Sequence, residues 1–188
     1  MIHITRSDRI LAATFLRLIP SRVTPNQITM FRFFTVPFVF ILLSLEEYRW
    51  GIVLFAVSAF TDALDGALAR TTNRVTEWGK IYDPVADKLL ITLSALVLVP
   101  RHLGFEIVFI IILLEMILIG SGYYLKNKRN IEIQANAWGK AKMICQSLGV
   151  ILILLFVLLN IPFFLVLAAW FFYAAIALAA VSLVTYGI

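Results

Sequence analysis

A chain of 188 residues with 62% hydrophobic and 14% charged positions, and a mean hydropathy of +0.95, lacks the polar surface to clothe a soluble globule. The balance of 16 Lys and Arg against 11 Asp and Glu leaves a net charge of +5, and cations set beside apolar runs are what membrane topology produces, so this excess is not read as nucleic-acid binding. Cys145 is the single cysteine, which excludes a disulfide scaffold.

In chain order, residues 1–24 come first, mixing Arg6, Arg9 and Arg17 with Ile10, Leu11, Phe15, Leu16 and Leu18. They lack the continuous apolar core of a cleaved signal and read as a short amphipathic helix lying on the membrane surface. Residues 25–188 then break at charged or Pro/Gly-containing joints into six apolar lengths, at 27–46, 50–70, 80–99, 104–125, 140–159 and 162–186. Each approaches the roughly 20 helical residues that cross a hydrocarbon core about 30 Å thick. The expected fold is therefore all-α, an integral membrane bundle of six transmembrane helices joined as antiparallel neighbours.

Six spans put both termini on one side. The joints on that side hold 12 Lys and Arg, among them Arg22, Arg70, Arg74, Lys126 and Arg129, against only Arg49 and Arg101 on the other. The positive-inside tendency makes the first side cytoplasmic. Arg32 and Lys88 fall inside spans, and a charge there requires a partner.

Four acids, Asp62, Asp65, Asp83 and Asp87, occupy the cytoplasmic ends of the second and third spans, where a charge is costly unless it is compensated. With about 100° of turn per residue, Asp62 and Asp65 lie roughly 60° apart around their helix, and Asp83 and Asp87 roughly 40°. Each pair shares a face, and consecutive antiparallel helices can bring both faces into one pocket. Four carboxylates together need protons, basic side chains or hard divalent ions, and oxygen-only donors favour Mg²⁺, Mn²⁺ or Ca²⁺ over zinc. Pairing with Arg70, Arg74, Lys80 and Lys88 is the simpler alternative for any single acid. Two pairs at helical spacing beside Gly66, Ala67 and Ala69, which keep the helix end bare, favour a divalent-ion phosphate site.

Asp62-Ala-Leu-Asp65-Gly66-Ala-Leu-Ala69-Arg70, then eight residues, Gly79, three residues, Asp83, three residues and Asp87 resemble the signature of the CDP-alcohol phosphatidyltransferases, with each of its eight specified positions filled over 26 residues. The resemblance implies an enzyme in which an alcohol attacks the β-phosphate of a CDP-linked lipid and CMP is released. It further implies two divalent cations, Mg²⁺ before Mn²⁺, with Asp62, Asp65 and Asp83 holding one and Asp62, Asp83 and Asp87 the other. Asp87 is implied as the general base. By the same carry-over Gly66 and Ala69 floor the cytidine, Arg70 forks onto a phosphate, Thr76 supplies a small hydroxyl near the nucleotide, and Gly79 permits close approach. Pro25-Asn26-Gln-Ile-Thr29-Met-Phe-Arg32 is similar to the family's first-span motif, which implies contacts from Asn26 and Thr29 to the CDP-lipid. Thr24 and Pro25 are also an ordinary helix start. Arg32, a turn deeper, faces either the carboxylates or the acceptor phosphate.

Asp83-Pro84-Val85-Ala86-Asp87-Lys88 looks like the glycerophosphate branch of the family and the related cardiolipin synthases. Gly139-Lys140-Ala-Lys142-Met-Ile-Cys-Gln146 is similar to a stretch of the glycerophosphate enzymes, and implies that Lys88, Lys140 and Lys142, with Arg32, receive the acceptor's phosphate. Membrane topology alone also accounts for Lys140 and Lys142. The chain departs from the branch at Leu114-Glu115, where an Arg-Glu pair is expected, and at Met143 in place of Thr. The substrates implied are CDP-diacylglycerol and glycerol 3-phosphate, with phosphatidylglycerol as the alternative acceptor, in a homodimer of the cell membrane whose site faces the cytoplasm. A cation transporter using the Asp cluster is the reading from a different class. It is disfavoured by acids confined to one membrane face and by the absence of a second matching half.

Overall fold

The structure is a computed structural model that describes residues 24–71, 77–129 and 137–185. The described residues form six helices joined by short turns, with no strand among them: α1 (Pro25–Ser44), α2 (Tyr48–Thr71), α3 (Glu77–His102), α4 (Phe105–Arg129), α5 (Ala137–Leu159) and α6 (Pro162–Thr185). Each coincides with one expected span to within a few residues at either end. The amphipathic segment expected at the N-terminus lies outside the described residues.

Local chemistry accounts for the ends. At the start of α1, Thr24 is extended at φ −99° and ψ 152°, Pro25 occupies the first turn, and the Thr24 N–H donates to Gln27 Oε1 at 2.9 Å. This satisfies one donor that the helix cannot. The three tight joints each use a residue in the left-handed region: Glu46 (φ 62°) after α1, Gly104 (φ 110°) after α3 and Asn160 (φ 54°) after α5. A left-handed residue at a helix C-terminus turns the chain back while its amide still reaches a carbonyl of the last turn. The Asn160 N–H donates to the Phe156 carbonyl at 2.7 Å, and the Gly104 N–H to that of Val99 at 3.1 Å.

The chain divides into two compact units, the boundary falling at Leu93 and Ser94 inside α3. In the first unit α1 lies along α2, and a Cβ at Gly51 would stand 2.8 Å from Leu43 Cδ2, so glycine is what lets the start of α2 close on the end of α1. Phe33 of α1 meets Tyr82 of α3 edge to face, with centroids 6.3 Å apart. In the second unit α5 packs along α6, and α4 also touches α6. Gly149 sits under the buried Phe172 ring so closely that a Cβ would stand 2.7 Å from Cε2.

The exterior is apolar: Trp170 is 69% exposed and Val184 71%, the opposite of a water-facing surface. Among the described residues, four helices are long and apolar enough to cross a membrane, within 26–44, 105–122, 137–159 and 162–185. Helices occupy all six expected lengths, and α2 and α3 are the two outside that set of four. With 24 and 26 residues both have the length, but α2 carries Arg49, Asp62, Asp65 and Arg70, and α3 carries Glu77, Lys80, Asp83, Asp87, Lys88 and Arg101. The residues that lower their hydropathy include all four candidate ligands.

Candidate active site

The polar residues of the first unit are arranged as a ladder on one stripe of α1. Thr29, Arg32 and Thr35 recur every three residues, so they follow one another up a single helix face, and all three are buried. At the top of the ladder the Thr35 hydroxyl donates to the Arg32 carbonyl at 3.0 Å and lies 3.0 Å from the Ser58 hydroxyl of α2. Ser58 is one turn before Asp62, which sets the register of α1 against the acidic end of α2.

Arg32 has no exposed surface. Its Nη1 donates to Asp62 Oδ1 at 2.7 Å and its Nη2 to Asp65 Oδ2 at 2.6 Å. The planar guanidinium thus takes one oxygen from each of two carboxylates, a geometry that lysine cannot reproduce. The Asp62 side chain keeps 45% exposure, whereas Asp65 keeps 2%. A carboxylate as deeply placed as Asp65 is tolerated as an anion only with a charged partner.

Thr29 joins the third carboxylate to the second. Its hydroxyl donates to Asp83 Oδ1 of α3 at 2.5 Å, and Asp65 Oδ2 lies 3.4 Å from the same oxygen. The two carboxylate oxygens are therefore within two hydrogen-bond lengths of each other. Asp87 is half-buried one turn further along α3. Arg32, Asp62, Asp65, Thr29 and Asp83 make one hydrogen-bonded set, assembled from three helices of one unit.

The other expected site residues are distributed as follows. Asn26 is half-buried in the first turn of α1, Gly79 is buried near the start of α3, and Lys88 is half-buried one residue beyond Asp87. The backbones of Gly66, Ala69 and Arg70 are helical within α2, their side chains lying outside the described set. Thr76 lies outside the described residues altogether. Arg32, for which the sequence leaves two destinations, goes to the carboxylates. In the second unit Lys140 is exposed at the start of α5, while Lys142 is buried and its ammonium donates to Glu115 of α4.

Two contacts of this set are absent from the sequence reading. The Thr29 hydroxyl reaches acids of both other helices, and Glu115 is the partner of Lys142. Glu115 does carry a signal, being an isolated carboxylate in the apolar run 107–119, which a membrane interior tolerates only when it is paired.

The donor set is all oxygen and suits a hard divalent cation. Among the described residues, however, no three acidic, His or Cys side chains are already gathered as an ion cage. The reason is visible in the contacts: Arg32 draws Asp62 and Asp65 onto its own nitrogens, and Thr29 draws Asp83.

Apolar helices of membrane-spanning length, together with a buried arginine that holds two carboxylates, define a multi-pass membrane protein with a polar cluster in its first unit. The sequence pattern of the CDP-alcohol phosphatidyltransferases matches residues 22–182, and the chain belongs to that family of enzymes. It is 33% identical over 159 residues to the Bacillus subtilis protein named CDP-diacylglycerol–glycerol-3-phosphate 3-phosphatidyltransferase, a match covering 76% of this chain and 80% of that protein. Proteins of the same name from Pseudomonas fluorescens and Mycoplasma pneumoniae are 43% identical over 82 residues and 36% identical over 103. Those two matches cover 42% and 54% of this chain, and 42% and 45% of the relatives.

Proposed function

We propose that this chain transfers the phosphatidyl group of CDP-diacylglycerol to glycerol 3-phosphate, forming phosphatidylglycerophosphate and releasing CMP. The observation that supports the reading is that Arg32 joins Asp62 to Asp65 and Thr29 joins Asp65 to Asp83, in a chain of a family whose named relatives carry these two substrates in their names. The acceptor hydroxyl oxygen forms a bond to the β-phosphorus, the bond from that phosphorus to the oxygen bridging to CMP breaks, and CMP departs with the electron pair.

Asp62, Asp65, Asp83 and Asp87 would hold two divalent cations, Mg²⁺ or Mn²⁺. Such ions, when bound, neutralise the diphosphate and make the acceptor hydroxyl more acidic. Asp87 accepts the proton of that hydroxyl. Asn26, Thr29, Gly66, Ala69, Arg70, Thr76 and Gly79 form the bed for the CDP-lipid, small residues leaving room for the nucleotide and Arg70 meeting a phosphate. Lys88 and Lys140 supply positive charge for the acceptor phosphate, and Lys142 does so only when released from Glu115. Arg32 belongs with the acids in this scheme, since both of its terminal nitrogens are committed to them.

In this reading all six helices cross the cell membrane, residues 1–24 lie along its surface, both termini and the acidic end of the site face the cytoplasm, and the protein works as a homodimer. Charged α2 and α3 are tolerated because their acids face α1 and one another rather than lipid.

Purified protein supplied with CDP-diacylglycerol and Mg²⁺ is expected to release CMP in proportion to added glycerol 3-phosphate, and to stop on addition of a chelator. CMP release with phosphatidylglycerol but not with glycerol 3-phosphate would reassign the acceptor. No release with any alcohol would overturn the reading.

A further inference from the structure

Arg32 is a permanent cation placed where the reading above puts divalent ions. It has no exposed surface, each terminal nitrogen holds a different candidate ligand, and its Nε is buried with no hydrogen-bond partner among the described residues. A buried guanidinium that leaves one donor unsatisfied gives up hydrogen-bond energy, so what retains it here is its charge. The Thr35 hydroxyl donates to the Arg32 carbonyl and lies against the Ser58 hydroxyl, which ties this stretch of α1 to α2.

We infer that Arg32 is a resident counter-ion that competes with divalent cations for Asp62 and Asp65. It stabilises the acidic cluster when no ion is bound and thereby weakens the binding of ions. Like charges at contact distances repel more strongly in a partly desolvated site than in water, so a fixed guanidinium beside an incoming divalent ion lowers its affinity. The absence of a ready ion cage among the described residues fits this assignment, because the carboxylates are turned toward Arg32 and Thr29. The four acids and Arg32 carry a net charge of −3, which one divalent ion brings to −1 and a second to +1. The second ion is thus unfavourable until an anionic diphosphate arrives. Replacing Arg32 by a neutral residue removes that barrier. The inference rests on the proposed divalent-ion site.

The test is Mn²⁺ binding to purified protein without substrate, followed by the loss of the free-ion EPR signal, for wild type, Arg32→Gln and Arg32→Lys. Arg32→Gln is expected to bind Mn²⁺ about tenfold more tightly. Its melting temperature is expected to fall without metal and to recover with Mn²⁺ by more than wild type gains, since an ion bound only to the folded state stabilises it by mass action. Arg32→Lys keeps the charge but loses the fork, so it gains less affinity. Unchanged or weaker Mn²⁺ binding in Arg32→Gln overturns the inference, as does a raised KM for glycerol 3-phosphate with Mn²⁺ affinity unaltered, which would make Arg32 a phosphate contact. A purely structural Arg32 would lower the melting temperature equally with and without Mn²⁺. If Arg32→Gln does not fold even with Mn²⁺, the neutral Arg32→Met decides the question, and affinity no tighter than wild type sinks the proposal. Wild-type protein that binds no Mn²⁺ at all removes the ion site itself, an outcome distinct from a site that binds Mn²⁺ but ignores Arg32.

Discussion

Asp87 and Thr29 sit in the same cluster and have separable duties. Asp87 is the acid proposed to take a proton, so Asp87→Asn is expected to lower CMP release by about 10²- to 10⁴-fold with the helical circular dichroism unchanged. Retention of more than a tenth of wild-type turnover would remove it from proton transfer. Thr29 acts through another residue: its hydroxyl donates to Asp83. Thr29→Val preserves shape and deletes that donor, which costs about 1 kcal/mol where the acceptor stays satisfied and up to about 3 where it does not. Thr29→Ser restores the donor. The valine variant is expected to need a higher Mg²⁺ concentration for half-maximal CMP release, and the serine variant to behave as wild type. Equal Mg²⁺ dependence in all three would place Thr29 outside the ligand cluster.

The acids and their i, i+3 and i, i+4 spacings were legible at this scale because helical periodicity is a local property. The partner of the acids was legible only as an alternative: Arg32 could face them or the acceptor phosphate, and Arg70, Arg74, Lys80 and Lys88 competed as nearer neighbours along the chain. The arginine that holds Asp62 and Asp65 comes from α1, some 30 residues earlier.

The helices follow from sequence to within a few residues at either end, since the apolar lengths and the charged or Pro/Gly-containing joints between them are local signals. In α2 and α3 the candidate carboxylates fall among apolar residues. The second unit holds a largely buried ion pair, between α4 and α5. Breaking such a pair by removing one partner costs about 3–5 kcal/mol, while replacing both by apolar residues is often neutral. Lys142→Met is therefore expected to lower the melting temperature of the protein in detergent sharply, and Lys142→Met with Glu115→Leu to recover most of the loss. Additive losses in the double variant would show that Lys142 and Glu115 are not energetically coupled. Loss of the glycerol 3-phosphate response in the double variant, with stability recovered, would assign Lys142 to the acceptor.

For the molecule as a whole, the asymmetry of 12 cations against 2 predicts which joints face the cytoplasm. In a Cys145→Ser background, which removes the single native thiol, a cysteine at Arg74 is expected to be shielded in intact cells from a membrane-impermeant thiol reagent. A cysteine at Leu103 is expected to be labelled. The reverse pattern would invert the topology and place the carboxylates on the outer side.

Composition alone pointed to a membrane, and local patterning located its six helices and picked out the four candidate acids, because hydropathy and helical phase act over a few residues. Only the tertiary structure decided that α1 supplies the counter-charge, that a threonine hydroxyl links acids of two helices, and that Lys142 is committed to Glu115. Those choices depend on which helix faces dock, and docking is governed by shape and buried charge summed over side chains far apart in the chain.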